Sequence, residues 1–311
     1  MKSHERQTRS YLMKLFQKKG FHPQTHLGQN FLIDLNIVEY IVSRAEVCPD
    51  DVVLEIGAGT GGMSTYLAEE AAALISVEVD QNMHGLASEA LAPYDNVTLL
   101  KCDALANKNT LSSEVLDVVQ SKLDAAPERR LVLVSNLPYN IATPVISNLV
   151  ATDLPWIRMV VTIQLELGER MVAKPSTSDY SALSVWLQAQ CGVNILKTLG
   201  PTVFWPRPKV NSAIVQLLPN KQKRETIRDR AFFHDFVRRL FHQRRKLLRS
   251  MMVSMYRKQL TKPEMDAILE SLELKSTARA EELAPHVLVK LANSVQAAIG
   301  VSKMVNDDAG G

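Results

Sequence analysis

The strongest constraint on how this chain folds is a regular alternation of short apolar segments with segments of helical period. Seven apolar segments predict strands, at residues 52–56, 74–78, 97–101, 131–135, 159–165, 194–199 and 213–218. Helices are predicted at residues 36–45, 62–70, 83–91, 112–123, 143–150 and 181–191. This alternation is typical of an α/β fold with a doubly wound, mostly parallel seven-stranded sheet and right-handed crossovers. Only a proline-rich loop separates the last two strands, so we expect them to pair antiparallel at one edge.

Beyond Pro219 the strand signal ends and a helical period takes over. Apolar residues at Phe233, Val237, Leu240, Leu248, Met251 and Met255 predict one helix over residues 231–256, with shorter helices at 263–272 and 286–299. We therefore expect four regions: a basic arm (1–25), a sheet domain (26–219), a small all-α domain (220–300) and a disordered tail (301–311).

The charge distribution favours a polyanionic partner. The net charge is only +3, but residues 221–260 hold 13 Lys or Arg against 3 Asp or Glu, and the first 19 residues are also basic. Solvated helix faces would explain the same excess equally well before motifs are considered. No apolar run is long enough to span a membrane, and three distant cysteines fit reduced thiols, so we expect a cytoplasmic protein. The arm is expected to contact RNA or to be disordered, rather than to be an organelle signal.

A glycine cluster follows the first strand and indicates a nucleotide-type cofactor. Gly57 and Gly59 allow a sharp turn with close backbone approach to a ligand, and Glu78 ends the second strand, where it can accept from ribose hydroxyls. This pattern alone fits an NAD enzyme as well as one using S-adenosylmethionine (SAM), and a tight turn beside a surface glutamate is the simpler alternative. Asp103 ends the third strand and can accept from an adenine amine, although a helix N-cap explains it as well.

The tetrapeptide Asn136, Leu137, Pro138 and Tyr139 ends the fourth strand at the same predicted edge. The amide oxygen of Asn136 and the carbonyl of Leu137 can accept from an adenine amine and free its lone pair for attack. Pro138 fixes the turn, and Tyr139 offers a ring on which a base can stack. A simple turn is the alternative explanation.

These motifs together resemble the ribosomal RNA adenine dimethyltransferase family. The similar blocks are 26–32, 55–59, Glu78, Asp103, 136–139, 204–212 and 241–246. The resemblance implies a SAM site lined by Asn30, Leu32, Gly57, Gly59, Glu78, Asp103 and Asn136. It also implies that Phe204 clamps a flipped adenine opposite Tyr139, although Phe204 by itself would more often fill a core.

Two positions depart from the family pattern. Ala58 replaces a frequent proline, and Asn211 replaces an aspartate that is frequent in the small-subunit enzymes and resembles the macrolide-resistance enzymes of large-subunit RNA. Arg244, Arg245, Lys246 and Leu137 favour the small-subunit branch. The alternatives are a large-subunit methyltransferase of that resistance type, a non-catalytic assembly or transcription factor on the same fold, and an NAD-dependent dehydrogenase.

The basic segment predicts an RNA-binding helix. Arg238, His242, Arg245 and Arg249 fall at helical spacing on one stripe, which can follow RNA phosphates unless it is only a solvated face. The residues expected to bind RNA are Arg238, Arg244, Arg245, Lys246 and Arg249. The resemblance implies dimethylation of two adjacent adenosines in the 3′-terminal hairpin of small-subunit rRNA during ribosome biogenesis. We expect a monomer that acts on a pre-ribosomal particle, with SAM as cofactor, no metal and no membrane association.

Overall fold

The structure, a computed structural model, describes the backbone of residues 7–24 and 27–308 and, within these ranges, the side chains up to residue 300. Its strands are β1 (Phe31–Leu32), β2 (Asp51–Ile56), β3 (Ala73–Val77), β4 (Val97–Leu100), β5 (Leu105–Asn107), β6 (Thr110–Leu111), β7 (Arg130–Asn136), β8 (Trp156–Gln164), β9 (Cys191–Leu199), β10 (Phe204–Trp205) and β11 (Ser212–Pro219). Its first helices are α1 (Arg9–Lys19), α2 (Leu35–Ala45), α3 (Ser64–Glu70), α4 (Gln81–Leu91), α5 (Ser113–Leu123), α6 (Ala142–Ala151), α7 (Leu165–Val172) and α8 (Ala182–Gln188). The remaining helices are α9 (Lys221–Glu225), α10 (Arg230–Phe241), α11 (Leu248–Tyr256), α12 (Lys262–Ser271) and α13 (Pro285–Asp308).

The predicted seven-stranded sheet is confirmed. Its strand order is β4-β3-β2-β7-β8-β11-β9. The first five strands of this order run parallel, and β11 pairs antiparallel with β8. β9 lies at the edge beside β11, as the missing crossover helix led us to expect.

Both faces of the sheet are covered. Alternate residues such as Val53 and Val132 pack with α2 and α3 in one core cluster. Their strand neighbours, Val52 and Leu131, point to the opposite face and are just as fully buried. Burial on both faces explains why these strands are almost continuously apolar in the sequence.

The strand order places a crevice at the centre of the sheet. The chain builds outward from β2 through β3 to β4 and then returns to β7 on the other side of β2. In open α/β sheets, ligands bind outside the carboxyl ends of the strands where this direction reverses. The crevice therefore lies where β2 and β7 end, and both predicted motifs follow these two strands.

The basic arm is more ordered than predicted. Residues 9–19 form α1, whose Leu12 and Phe16 are buried in a cluster with Phe31 and Met83. The apolar residues of this face are visible in the sequence, but the lysines around them led to the prediction of a basic arm that contacts RNA or is disordered. His26 lies outside the described residues, as do residues 1–6, which carry part of the predicted basic charge.

The prediction of one helix over residues 231–256 is wrong. α10 ends at Phe241 and α11 begins at Leu248, with non-helical residues between them. The amide of Leu248 donates to the carbonyl of Ala278, so tertiary contacts within this region set the break. A short hairpin, β5 with β6, and helix α7 were not predicted.

The chain forms two compact units, whose bounds differ from the predicted boundary at residue 219. The first comprises residues 1–168 and 194–219, and the second comprises 169–193 and 220–311. Segment 169–193 groups with the C-terminal helices because Trp186 of α8 packs against Phe233 of α10, with ring centroids 6.2 Å apart. Helix α13 continues to Asp308, through most of the predicted disordered tail, and residues 309–311 lie outside the described residues. None of the described helices has the length and apolar character needed to cross a bilayer.

Candidate active site

Residues 57–62 follow β2, and we call them the glycine loop; this loop needs glycine for two reasons. Gly57 and Gly59 have φ angles of 87° and 57°, in the left-handed region that side chains disfavour. A Cβ atom on Gly57 would also lie 3.0 Å from Cδ of Pro138. The loops after β2 and β7 therefore touch, and any side chain at position 57 would separate them.

Glu78 is held at the end of β3 by the same loop. Its two carboxylate oxygens accept one hydrogen bond each, from the amide of Gly59 at 2.8 Å and from the amide of Asp80 at 2.8 Å. Burial raises the pKa of Glu78 above its ordinary value, although these two amide donors oppose the shift. Each carboxylate oxygen has a further lone pair, so Glu78 can still accept from a ligand hydroxyl.

Asp103 lies in the same cavity but does not cap a helix. Its Oδ1 accepts from the amide of Leu105 at 2.9 Å, at the start of the β5–β6 hairpin. The side chain is exposed and lines the cavity beside Cys102 and Ala104. The N-cap alternative is thus excluded, and a carboxylate oxygen remains available to a ligand.

Asn136 is oriented by a backbone carbonyl of the segment 26–32, one of the blocks that resemble the family. Its Nδ2 donates to the carbonyl oxygen of Asn30 at 2.9 Å. Because only the NH₂ group can make this bond, Oδ1 is the group left to accept from a ligand. This orientation is compatible with Asn136 as an acceptor, and that role stays a prediction.

The rest of the tetrapeptide forms a tight turn. The amide of Leu137 donates to the carbonyl of Thr162 at 3.1 Å, and the Leu137 side chain is buried. The carbonyl of Pro138 accepts from the amide of Ile141 at 3.1 Å. The hydroxyls of Tyr139 and Ser212 are 2.6 Å apart, and burial raises the pKa of Tyr139, so it remains a neutral phenol. This anchor fixes the ring of Tyr139 at the mouth of the site.

Two cavities meet at Tyr139. We call the first the cofactor cavity; it is lined by the glycine loop, Glu78, Asp103, Asn136 and Tyr139. The second, the acceptor cavity, is lined by Asn140, Gln164 and residues 206–210. Gly28, Gln29, Asn30 and Tyr139 belong to both cavities. Two ligands can therefore meet at this shared wall.

Two predicted site residues, Phe204 and Leu32, do not line the cofactor cavity. Phe204 is 1% exposed and packs in the sheet core with Ile37 and Val38, so it does not line either cavity. Its register partner in the β1–β10 pair, Leu32, also packs against that core and lies beneath the glycine loop. Phe204 therefore fills the core in this structure, and its role as the ring opposite Tyr139 stays a prediction.

The predicted basic stripe does not form, because its residues lie on two helices and the turn between them. Arg249 pairs with both carboxylate oxygens of Asp266, at 2.5 and 2.7 Å, and Arg238 lies 3.1 Å from Asp235. Arg244 donates to the carbonyls of Ser178 and Tyr180, both at 2.7 Å, and lies 3.3 Å from Glu281.

Arg245 and Lys246 differ from these three arginines. Both side chains are exposed, and in the part of the chain that the structure describes neither has an ion-pair partner. The structure thus separates two available cations from three that are already engaged. RNA binding by Arg245 and Lys246 stays a prediction.

Glu55 was not predicted to matter, although a charged residue inside an apolar strand was a visible signal. It is 1% exposed in β2, and its Oε2 accepts from the hydroxyls of Ser64 and Ser76. Burial raises the pKa of Glu55 to about 7. Glu55 therefore ties β2, β3 and the start of α3 together directly beneath the glycine loop. Among the described residues, no group of three His, Cys, Asp or Glu side chains could hold a metal ion.

Comparison with known proteins identifies relatives along most of the chain. A model of the family described as ribosomal RNA adenine dimethylase matches residues 20–286. A ribosomal RNA small subunit methyltransferase A from Pediococcus pentosaceus is 37% identical over 286 residues, which cover 91% of this chain and 93% of that protein. One of the same name from Bacillus cytotoxicus is 35% identical over 282 residues, covering 90% of this chain and 94% of that protein.

Two crystal structures share the fold. A dimethyladenosine transferase from Plasmodium falciparum has a TM-score of 0.70 at 24% identity, covering 85% of this chain and 97% of that one. The 23S rRNA methyltransferase ErmE has a TM-score of 0.59 at 20% identity, covering 86% of this chain and 100% of that one. The match over residues 20–286 includes the glycine loop, Glu78, Asp103 and the turn after β7, and the chain belongs to the ribosomal RNA adenine dimethylase family.

Proposed function

We propose that this protein uses SAM to dimethylate the exocyclic amines of two adjacent adenosines in the 3′-terminal hairpin of small-subunit rRNA, acting on a pre-ribosomal particle. The observation that carries this proposal is the orientation of Asn136, which lines the cofactor cavity and whose Nδ2 is bound to the carbonyl of Asn30, a residue on the wall shared with the acceptor cavity. The choice of the small subunit is supported by relatives at 35–37% identity that are named small subunit methyltransferases.

The cofactor cavity fits an adenosine with a charged tail. Glu78 can accept from ribose hydroxyls through the lone pairs that its two amide donors leave free. Asp103 can accept from an adenine amine beside the apolar Val79 and Ala104. Gly57 and Gly59, whose positive φ angles favour glycine, leave this space free of side chains. SAM, when bound, supplies a methyl group on a sulfonium that is open to attack by a nitrogen nucleophile.

The chain's own contribution is to hold an adenine amine in place. The lone pair of that amine is delocalised into the ring, so it is a weak nucleophile. Asn136 can accept from one of its hydrogens, and this favours the tetrahedral geometry in which the lone pair is free. Because Nδ2 is bound to the carbonyl of Asn30, the amide cannot rotate away from this role. Positioning of this kind accounts for large rate effects without a strong base.

Tyr139 supports the base beside Asn136. Its hydroxyl is anchored to Ser212, which leaves the ring as part of the wall between the cavities. Stacking of a base on one aromatic ring contributes about 1–3 kcal/mol. Phe204 is buried in this structure, so a second stacking contact from Phe204 on the other face of the base stays a prediction.

The intact acceptor site argues against a non-catalytic factor. A dehydrogenase would explain the glycine loop and Glu78 but neither the orientation of Asn136 nor the acceptor cavity on the other side of Tyr139. A large-subunit target is the remaining alternative, because Asn211 resembles the macrolide-resistance enzymes and its side chain is exposed at the start of β11.

Methyl transfer from radiolabelled SAM to unmethylated small subunits tests the proposal, with the label mapped by primer extension. We expect two dimethylated adenosines in the 3′-terminal hairpin, and we expect Asn136→Ala to abolish the label. Asn109→Ala, at an exposed turn position, is the matched control and should retain activity. Label found only in large subunits, or no label in either particle, would overturn the proposed function.

A further inference from the structure

Helix α1 has one apolar face and one strongly basic face. Leu12 and Phe16 are buried, whereas the helix carries four basic residues and no acid. Lys19 pairs with Glu89 at 2.6 Å. Arg9, Lys14 and Lys18 are exposed, and none of them has a carboxylate partner among the described residues. The folding of α1 needs its apolar face, but it does not account for three unpaired cations on one short helix.

A groove runs beside this basic face. We call it the N-terminal groove; it is lined by Met13, Lys14, Phe16, Phe21, His22 and Trp205, among others. Its volume is about 520 Å³, within the range of sites that hold small organic ligands. Met13 is 46% exposed and is one of four exposed large apolar side chains in the part of the chain that the structure describes.

The rings in this groove are held in a fixed arrangement. Phe16 packs edge-to-face against Trp205, with centroids 5.1 Å apart, and against Phe21, with centroids 6.4 Å apart. Phe16 is buried, and Trp205 remains half-exposed. Aromatic and thioether surface next to unpaired cations matches the chemistry of an unpaired nucleotide, which offers a base to stack and a phosphate to pair. An acidic peptide would be complementary to Lys14 but would leave the partly exposed rings of Phe21 and Trp205 without a stacking partner.

The N-terminal groove is continuous in the chain with the acceptor cavity. Trp205 ends β10, where it pairs with Phe31 of β1. The next five residues, 206–210, line the acceptor cavity and include the exposed cations Arg207 and Lys209. An RNA strand that places a base in the acceptor cavity therefore meets a basic segment that leads directly to Trp205.

We propose that the N-terminal groove binds an unpaired nucleotide of the substrate RNA that flanks the target adenosines. The base lies against Trp205 and Met13, and Lys14 pairs with its phosphate. This inference rests on the proposed function for the identity of the RNA. It assigns to α1 a role in RNA recognition that is separate from methyl transfer.

A photocross-linking experiment tests the occupant directly. The full-length protein carrying p-benzoylphenylalanine in place of Met13 is irradiated with unmethylated small subunits, and the same residue in place of the exposed Lys108 is the control. We expect a cross-link from position 13 to an unpaired nucleotide of small-subunit rRNA, and none from position 108. A cross-link only to a ribosomal protein, or none from a preparation that methylates the subunits, overturns the proposal. A cross-link to rRNA without methylation would support the groove while rejecting the proposed function.

A charge reversal measures the contribution of the groove. In the double variant Met13→Glu with Lys14→Glu, we expect the KM for small subunits to rise at least about fivefold, with kcat and the Kd of S-adenosylhomocysteine unchanged. Both side chains are exposed, so folding should be unaffected. Lys108→Glu should leave the KM unchanged. An unchanged KM in the double variant, or an equal rise in the Lys108→Glu control, would contradict a specific groove.

Discussion

At the scale of single residues, Glu55 couples stability to pH. Burial raises its pKa from 4.5 to about 7, so the native state holds a proton that the unfolded chain has lost. The free energy of unfolding should therefore fall as the pH rises from about 4.5 to about 7, by on the order of 3 kcal/mol from this group. Glu55→Gln cannot titrate, and its amide oxygen can still accept from Ser64 and Ser76.

Urea unfolding at pH 5 and pH 8 measures this effect. The loss of stability between these two pH values should be smaller in Glu55→Gln than in the wild type. The exposed residue Glu128 provides the control, since Glu128→Gln should behave like the wild type. Equal pH dependence in the wild type and Glu55→Gln would show that Glu55 is not the group responsible.

Glu78 is predicted to hold the cofactor ribose as a carboxylate. In Glu78→Gln, one acceptor becomes an NH₂ donor that faces the amide of Gly59 or Asp80, so both the loop and the ligand lose a partner. Since hydrogen bonds to charged groups contribute about 1.5–3 kcal/mol, the Kd of S-adenosylhomocysteine should rise at least about tenfold. Calorimetric titration measures this Kd, and the exposed Glu70→Gln is the control. Unchanged binding would remove Glu78 from the cofactor site.

At the scale of elements, α1 supports the glycine loop. Its Phe16 packs on Phe31, with ring centroids 5.5 Å apart, and the Phe31 ring lies 3.2 Å from where a Cβ atom on Gly59 would be. Just before α1, Nε2 of Gln7 donates to the carbonyl of Thr60 at 2.9 Å. Helix α1 therefore packs against Phe31, which lines the cofactor cavity.

Removing the Phe16 ring should loosen this support. Truncation of a buried phenylalanine typically costs about 3–5 kcal/mol, so in Phe16→Ala we expect α1 to lose its protection from hydrogen exchange. We also expect weaker binding of S-adenosylhomocysteine. Lys18→Ala, an exposed change on the same helix, should alter neither quantity. Loss of exchange protection without any change in affinity would show that α1 and the cofactor cavity are not coupled.

In the turn between α10 and α11, two adjacent arginines have different surroundings: Arg244 is held by hydrogen bonds, whereas Arg245 is exposed. Arg244 bonds two carbonyls and lies beside Glu281, so Arg244→Ala should lower the Tm by several degrees. Arg245 is exposed, so Arg245→Ala should leave the Tm unchanged and weaken RNA binding instead. Thermal unfolding and filter binding of both variants check this contrast. The reverse pattern would mean that Arg245, and not Arg244, anchors the turn.

At the scale of the whole molecule, the slope of log K for RNA binding against log salt reports the number of phosphate contacts. Each unit has exposed cations without described ion-pair partners, Arg207 and Lys209 in the first and Arg245 and Lys246 in the second. The double variant Arg245→Ala with Lys246→Ala should reduce the slope of log K against log salt by about 1.5. Filter binding at salt concentrations between about 50 and 200 mM would give the slope, because phosphate contacts change the affinity strongly over this range. If the variant bound more weakly at every salt concentration but kept the slope of the wild type, the two residues would not pair with phosphates.

The sequence by itself determined the sheet, the order of its motifs and the family. These features depend on local patterns: apolar strands buried on both faces, a glycine cluster at Gly57, and polar residues at the ends of successive strands. The orientation of Asn136 was not visible there, because its partner is the carbonyl of Asn30, 106 residues away.

The tertiary structure alone decided which predicted residues line a cavity and which fill the core. Phe204 and Tyr139 were both aromatic residues in turn-rich segments, yet pairing of β10 with β1 buries the first, and the hydroxyl of Ser212 anchors the second at the cavity wall. Likewise, a helical period runs through residues 231–256, but α10 ends at Phe241 and a hydrogen bond from Leu248 to the carbonyl of Ala278 lies at the start of α11. Periodicity reports what a segment can bury locally, whereas long-range partners decide which side of a residue is covered.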